Sequence, residues 1–591
     1  MTGFLISLLG SLLLCTTAFA YPTLDECCTL DQHLEVASVK PMFESVSGKS
    51  NEVMDSYYIN EQQDDHLIDS IYGVLGVVTK DITGLGSVRI RGARSFDTKY
   101  LYDGMPLRDP SHPQNSFGSF FGDTLTLGTS EIQILKGTSS VLYGSEAIGG
   151  VVDIVPQNKD GVSFTSEYGG DNAFLNVVDH NDFTVAYGDS DDYESGSVRL
   201  SHDFGIVEPF LLYQRTEAPL HNAPFLDGIV THDIKDENDR REVQYIQVGT
   251  KVELEPVSAK LSYSTSDRRF VFLPNEDGTG FYNDGSFTSE AIYLDINTEV
   301  YDTILGYTFT HDFMGIESEG LESDYNDVYQ NDVYVERGLA IEDLSILLGS
   351  RYSLNERSKD RATYDVSASY PIYGYILRAH YGTGFRAPSL YELYGAFLTS
   401  FGRFEIGNPE LSPERASSID FGIERTFDER VTVGVTAFQH SLTNRIDFIG
   451  SSYINVDDTI DTYGYEAFYE QFLFGNTSAR LAYTRTIQPG LLDVPEHLIE
   501  ASLRTVRGNF SFVAQVGYRD SHEVALFDMA TFTVGRASEG SSVVANLTAK
   551  YKVSPNIEVY GRLENIFDEE YFDGGYEKDG FGAYAGVTIR G

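Results

Sequence analysis

From about residue 162 onward the chain obeys one constraint. Apolar and polar residues alternate with period two, segment after segment. Val431, Val433, Val435 and Ala437 alternate with Thr432, Gly434 and Thr436; Ala479, Leu481 and Tyr483 alternate with Arg480 and Thr484. Further on, Val543, Ala545, Leu547, Ala549, Tyr551 and Val553 alternate with Asn546, Thr548, Lys550 and Lys552, and Ile557, Val559, Gly561 and Leu563 with Glu558, Arg562 and Glu564. This is the period of a β-strand whose two faces meet different surroundings. No internal run approaches the ~18 apolar residues of a membrane helix, which excludes a helical membrane protein. A transmembrane β-barrel shows no such run, because its apolar residues alternate with polar ones. With 39 Tyr, 37 Phe and 55 Gly against 6 Met and no Trp, the composition favours strands and turns over helices.

Alternation does not say which face is apolar. A soluble sandwich array with its apolar face inward therefore competes with a membrane barrel whose apolar face looks outward. Three features favour the barrel: a leader-like N-terminus, strands of about ten residues, and tyrosine and phenylalanine crowded at strand ends. Roughly 430 residues at about 20 per strand and connection give about 22 strands, a size that encloses a lumen needing a plug. The connections are uneven, short at Ser554-Pro555-Asn556 and long and acidic from Ala218 to Arg241. The expected fold class is a membrane all-β protein, an antiparallel transmembrane barrel of about 22 strands with an N-terminal plug domain in its lumen.

The formal charge of −47, from 89 acidic and 42 basic residues, excludes nucleic acid as a partner, since phosphate binding needs clustered Lys and Arg. It reads as solvated loops that resist aggregation, and beside that as attraction for cations such as Ca²⁺. Enzyme motifs of the G-x-S-x-G, H-E-x-x-H and P-loop types do not occur, so no catalytic residues are assigned.

Residues 1–20 form an apolar segment ending Ala18-Phe19-Ala20, which reads as a signal peptide cleaved after Ala20. Cys27 and Cys28 then remain, neighbours that make neither a disulfide framework nor a metal site. Residues 21–50 read as a flexible periplasmic extension. Within it, Leu34-Glu35-Val36-Ala37-Ser38-Val39 alternates, and such a segment can add as a strand to a partner's sheet. Residues 51–157 read as the plug and 158–591 as the barrel. A short helix is expected over His66–Tyr72, from apolar Leu67, Ile68, Ile71 and Leu75. Between Ser87 and Val155, β-rich runs (Val88–Ile90, Glu131–Leu135, Val151–Val155) are separated by Gly92, Gly104, Gly137, Gly144, Gly149 and Gly150, the mark of tight turns in a compact, loop-rich unit.

Four pieces of that stretch resemble, in order, the plug of TonB-dependent outer-membrane transporters: Val88-Arg89-Ile90-Arg91-Gly92, Tyr102-Asp103-Gly104-Met105-Pro106, Glu131 to Gly137, and Leu142 to Ile154. Barrel pieces match as well: Tyr381 to Pro388, Gly407 to Glu414, Gly464-Tyr465-Glu466, and Glu564 to Tyr571. Length and motif spacing are most similar to the cobalamin receptor and catecholate-siderophore receptor branch. The resemblance implies active uptake across a Gram-negative-type outer membrane, by a monomer embedded in lipid and free of a required cofactor. Its partners would be the periplasmic domain of TonB, with its proton-driven inner-membrane complex, and a small metal chelate or corrinoid. Leu34 to Val39 would be the TonB box. Arg89, Arg91 and Arg94 would lock the plug against Glu414 and Glu466, because buried guanidinium groups need carboxylates. The loop carrying Asp233, Asp236 and Asp239 lies where cobalamin receptors bind calcium, and its carboxylates are spaced like oxygen ligands; a solvated acidic loop is the alternative. No histidine lies between Phe385 and Pro413, which argues against haem as cargo. Two departures stand out: the chain ends Ile589-Arg590-Gly591 rather than on an aromatic residue, and Leu34 to Val39 matches the box only loosely. The competing functions are a passive or adhesive barrel without energy coupling, and a soluble secreted β-protein.

Overall fold

The strand Glu414–Phe427 decides which face is apolar. Glu414, Ala416, Ser418 and Asp420 are buried on one side, while Ile419 and Phe421 on the other are 52% and 57% exposed. A soluble sheet inverts this arrangement, so the apolar-inward sandwich is excluded. The computed structural model describes residues 48–591 apart from 63–65, 81–86, 113–123, 126–127, 157–160, 171–172, 191–193, 223–224, 227–228, 231–233, 273–282, 319–323, 400–401, 489–491, 529–532, 574–575 and 579. Residues 1–35 and 36–591 are separate units, and every described residue lies in the second. The leader, the two cysteines and Leu34 to Val39 are therefore outside the described residues.

Among the described residues, twenty-two antiparallel strands close into one barrel, from Ser163–Tyr168 to Gly582–Arg590. The seam is made by the last strand against the first, Ala585 opposite Tyr168 through Arg590 opposite Ser163. Closure leaves no edge strand to template aggregation. At one end of the barrel the turns are tight. Tyr373 and Gly374 join two strands with φ of 52° and 78° at successive residues, the pair of positive values that a two-residue hairpin matched to strand twist requires. That end also carries a ring of outward aromatic side chains: Phe204, Tyr301, Tyr373, Phe474 and Phe510. The other end carries the long connections, above all residues 387–413 between Tyr375–Arg386 and Glu414–Phe427.

One expected connection is different. Much of the stretch from Ala218 to Arg241 is strand rather than loop, since Val207–Asn222 and Ile234–Leu254 stay paired to Asn222 opposite Ile234, with a register shift between Pro219 and His221. The backbones of Asp236 and Asp239 thus belong to a strand, because hydrogen bonding continues past the barrel wall. Asp233 and the side chains of Asp236 and Asp239 lie outside the described residues.

The plug is a five-stranded sheet ordered Asn51–Met54, Thr129–Lys136, Gly150–Pro156, Thr98–Tyr102, Met105–Pro106, beside a separate hairpin of Val77–Lys80 and Ser87–Ile90. The expected helix is present as Leu67–Ile71, with Leu67, Ile68 and Ile71 buried. These pack with Val88, Ile90, Tyr100, Ile132, Ile134, Val152 and Ile154, and the cluster reaches Val243 and Tyr245 of the wall. At Gly150 an added Cβ would lie 2.4 Å from Leu135 O, so the crossing of hairpin and sheet admits only glycine.

The outward face predicts a depth-dependent cost in lipid. Phe421→Arg, mid-strand, should lower unfolding stability in bilayers by about 2–4 kcal/mol, and Phe474→Arg in a rim turn by about 0–1 kcal/mol. Urea titration of reconstituted protein checks it; equal costs would refute the outward apolar band.

Candidate functional site

An apolar outer face leaves the inner wall polar, so the plug meets charge wherever it touches the barrel. The central contact starts at Arg91, which sits in the left-handed region (φ 53°) before Gly92 (φ 76°). A long side chain is held there only when its surroundings over-determine it. The guanidinium supplies that hold. Its Nε and Nη2 donate to the two carboxylate oxygens of Glu466 at 2.8 and 2.9 Å, Nη1 donates to Asp420, and the group lies 4.7 Å from the ring centre of Phe438. Two parallel bonds to one carboxylate fix orientation as well as distance.

Arg94 makes a second fork. It donates to Asp97 at 2.7 Å and to Glu414 at 2.6 Å. Glu414 also accepts from Arg386 at 2.7 Å, and Arg386 holds Glu392 through two bonds of 2.9 Å. Glu392 belongs to the helix Leu390–Tyr394, whose N-terminus it closes in a capping box with Ser389. A continuous line of buried ions therefore runs from plug through wall to the long connection over the barrel mouth.

Arg89 follows another course: it pairs with Asp493 at 3.0 Å and donates to Leu492 O, rather than meeting Glu414 or Glu466. The structure thus brings Arg91 to Glu466 and Arg94 to Glu414, and sends Arg89 to a connection outside the strands. Lys136 lies 3.4 Å from Glu466 and 3.3 Å from Glu52, which pairs with Arg480 at 3.0 Å. Burial opposes the charge of Glu52, but Lys136 and Arg480 hold its carboxyl below the usual range. Lys49 reaches Asp365 at 2.8 Å, and His380 bridges Asp365 and Asp420 at 3.0 and 3.1 Å.

Sequence reasoning missed Asp420, Asp365, His380, Arg386, Glu392 and Arg480. The signal was present for Asp420, which shares a face with Glu414 at a spacing of six on a strand; any ion on that face must look into the lumen. The match between ions could not be read, since Arg91 and Asp420 are 329 positions apart.

On the barrel wall that faces the plug's short helix Ser140–Tyr143, the charges are balanced differently. Asp332 pairs with Arg351 of the next strand, and Asp295 accepts from Tyr334 at 3.1 Å, Asn297 at 2.9 Å and Thr308 at 3.3 Å, all of the wall. Arg351 touches the plug through neutral oxygens, donating to Val141 O at 3.2 Å. A polar cavity of about 30 Å³ lies here, lined by Lys99, Tyr143 and Glu146 of the plug and by Asp312, Asp332 and Arg351 of the wall. Burial pulls Lys99 down to about 8, with Tyr143 O and Ser145 O as its acceptors. In the plug sheet, burial pushes Asp153 up to about 7 even though it accepts from Gly104 N.

Breaking a buried pair by removing one partner costs about 3–5 kcal/mol, because a lone charge stays behind. Arg91→Ala should therefore loosen the plug by about that amount, and Arg91→Ala with Glu466→Gln by less than the sum of the two single changes. A double-mutant cycle on plug unfolding checks this, and strict additivity would refute the pairing. Asp153 gives a pH signature. Its folded value lies above its unfolded value of 3.8, so its contribution is complete below 3.8 and is lost as pH rises through about 7. Wild type should lose stability over that window relative to Asp153→Asn; parallel curves would show that Asp153 is not the source.

Comparison with known proteins agrees with this architecture. Residues 142–566 match the TonB dependent receptor-like β-barrel family, and residues 45–151 match the TonB-dependent receptor plug domain. The vitamin B12 transporter BtuB of Photobacterium profundum is 23% identical over 492 residues, 75% of this chain and 76% of the relative. Among solved structures, the siderophore receptor PirA from Acinetobacter baumannii superposes with a TM-score of 0.72 at 15% identity, over 92% of this chain and 98% of that one. A ferric enterobactin receptor (PfeA) variant from Pseudomonas aeruginosa gives 0.72 at 15% identity, over 94% and 100%. The barrel match alone spans well over half of the sequence, and the chain belongs to the TonB-dependent receptor family.

Proposed function

We propose that the protein lies in the outer membrane and imports a scarce corrinoid such as cobalamin, or second a ferric siderophore, by active transport coupled to TonB. The observation that carries the reading is a lumen filled by a folded plug and fastened by ion pairs, which can be parted and remade without any chemical step. A passive or adhesive barrel has no use for such a domain. The relative named as a vitamin B12 transporter supports the corrinoid, and the structural neighbours named as siderophore receptors support the second cargo.

In this mechanism cargo binds at the outer loops and plug apices. TonB pairs as an added strand with Leu34 to Val39 and draws on the inner-membrane proton gradient. Force then travels along the extension to Gly48 and Lys49. Gly48 lies so close to the wall that an added Cβ would sit 2.4 Å from Ala368 O, and Lys49 holds Asp365. Just beyond, Asn51–Met54 is an edge strand of the plug sheet, bonded only to Thr129–Lys136 among the described strands, so a pull on the extension unzips it first. Arg91, Arg94, Glu414 and Glu466 serve as the lock that keeps the remainder docked. Calcium held by Asp233, Asp236 and Asp239 would brace the outer face.

Deletion of Leu34 to Val39 should abolish uptake and leave cargo binding intact; uptake that survives the deletion would sink the coupled mechanism. Binding of labelled cobalamin against a panel of ferric siderophores, with and without a calcium chelator, identifies the cargo and the role of the metal together.

A further inference from the structure

The barrel wall is low along one sector. The four strands Ser163–Tyr168, Phe174–His180, Phe183–Asp189 and Glu194–Ser201 lie side by side and have 6, 7, 7 and 8 residues. The strands Val431–Ile449 and Ser452–Phe472 have 19 and 21. A strand tilted by ~45° needs about 9–11 residues to cross the hydrocarbon of a bilayer. The four strands of the low sector fall short of that.

The outward side chains measure the same deficit independently. On Phe183–Asp189 the outward residues Phe183, Val185 and Tyr187 run from Asp182, in the rim turn, to Asp189. Asp189 stands opposite Glu194, and the Tyr187 hydroxyl donates to Glu194 at 3.2 Å. At ~3.4 Å per residue and a tilt of ~45°, the two charged ends lie about 17 Å apart along the membrane normal. On Val431–Ile449 the outward residues Val431, Val433, Val435, Ala437 and Gln439 separate Arg430 from Ser441, which donates to Asp461. The same geometry gives about 26 Å there, matching an apolar band of ~25 Å. In the low sector the outward face is also interrupted mid-strand, where Ser166 stands opposite Asn176.

Both ends of this short band are pinned by charge. Asp189 and Glu194 close the outer end, and Asp182, 3.0 Å from His202, closes the inner end. Ionisable groups drawn into hydrocarbon are costly, so neither end sinks to fill the deficit. A bilayer that meets a short apolar band adapts by thinning. Resting on the outer-membrane reading, we propose that this sector is a lipid-contact surface that thins the membrane beside it. Its partner is short-chained or disordered lipid with a hydrophobic thickness of about 17 Å. Ser163–Tyr168 is also the first strand of the closing seam, so the seam borders the thinned lipid.

The chain has no tryptophan, so single reporters read depth directly. Tyr187→Trp and Tyr463→Trp each stand two residues inside an outward acid, Asp189 and Asp461, and Phe204→Trp marks the inner rim. Tyr168→Trp, at a site 62% exposed, is a second reporter in the low sector. Each full-length protein is refolded into dioleoyl phosphatidylcholine vesicles that carry brominated chains, with the bromines near the headgroup or near the chain end. Heat-modifiable migration checks folding. Thinning places every reporter at an interface. The ratio of deep to shallow quenching should then agree within about twofold between the low-sector reporters and Tyr463→Trp, and shallow bromines should dominate for Phe204→Trp. A ratio higher than that for Tyr187→Trp or Tyr168→Trp would mean that the lip sinks into a bilayer of full thickness. Mainly deep quenching of Phe204→Trp would mean that the barrel rides outward instead. Either outcome overturns the proposal. Should bromine at no depth quench any reporter in folded protein, the membrane reading fails first, and the lipid surface falls with it.

Discussion

The buried guanidinium–carboxylate pair between plug and wall is the interaction on which the rest of this structure depends. It follows from a property of strands. A β-strand has two faces, and when the outer one is apolar the inner one takes the polar residues. The lumen is therefore lined with charge, and whatever fills it must answer charge with charge. Arg91 shows how far this requirement reaches: its backbone occupies the left-handed region, and two carboxylates from two strands hold it there. An apolar plug surface would leave Asp420 and Glu466 buried and uncompensated, which is the more costly state.

The same pairs join parts that sequence keeps far apart. Arg94, Glu414, Arg386 and Glu392 form a line from plug to wall to the helix at the barrel mouth. A displacement of that helix reaches the plug through ions rather than through soft packing, since each member has a geometry fixed by forked hydrogen bonds. Where the wall neutralises itself, as at Asp332 and Arg351, Arg351 meets the plug through backbone oxygens.

Much of this architecture is legible in the order of residues. Period-two alternation marks the strands, their length and number point to a barrel of about 22, and the glycine-punctuated stretch marks a plug. Apolar spacing places the helix at Leu67–Ile71. Composition misleads. The acidic stretch from Ala218 to Arg241 reads as loop, yet much of its backbone stays paired with the neighbouring strand beyond the wall, because hydrogen bonding to a neighbour does not require an apolar face. Arg89 misleads for a related reason. Period two would send it the same way as Arg91, but the strand ends at Ile90 and Arg91 turns into the left-handed region, so the two side chains diverge and Arg89 meets Asp493.

The sequence by itself determined that this chain makes a strand barrel around a compact plug, because alternation and glycine placement are local and each short segment carries its own instruction. Which face of the strands is apolar was decided only in three dimensions, since the period is the same either way. So was the pairing of ions. That arginines in the plug needed acids followed from burial, but Asp420, Asp365 and Arg480 became partners only when closure of the barrel set strands from distant parts of the chain around one lumen. A counter-ion is chosen by distance in space, and alternation carries no information about that.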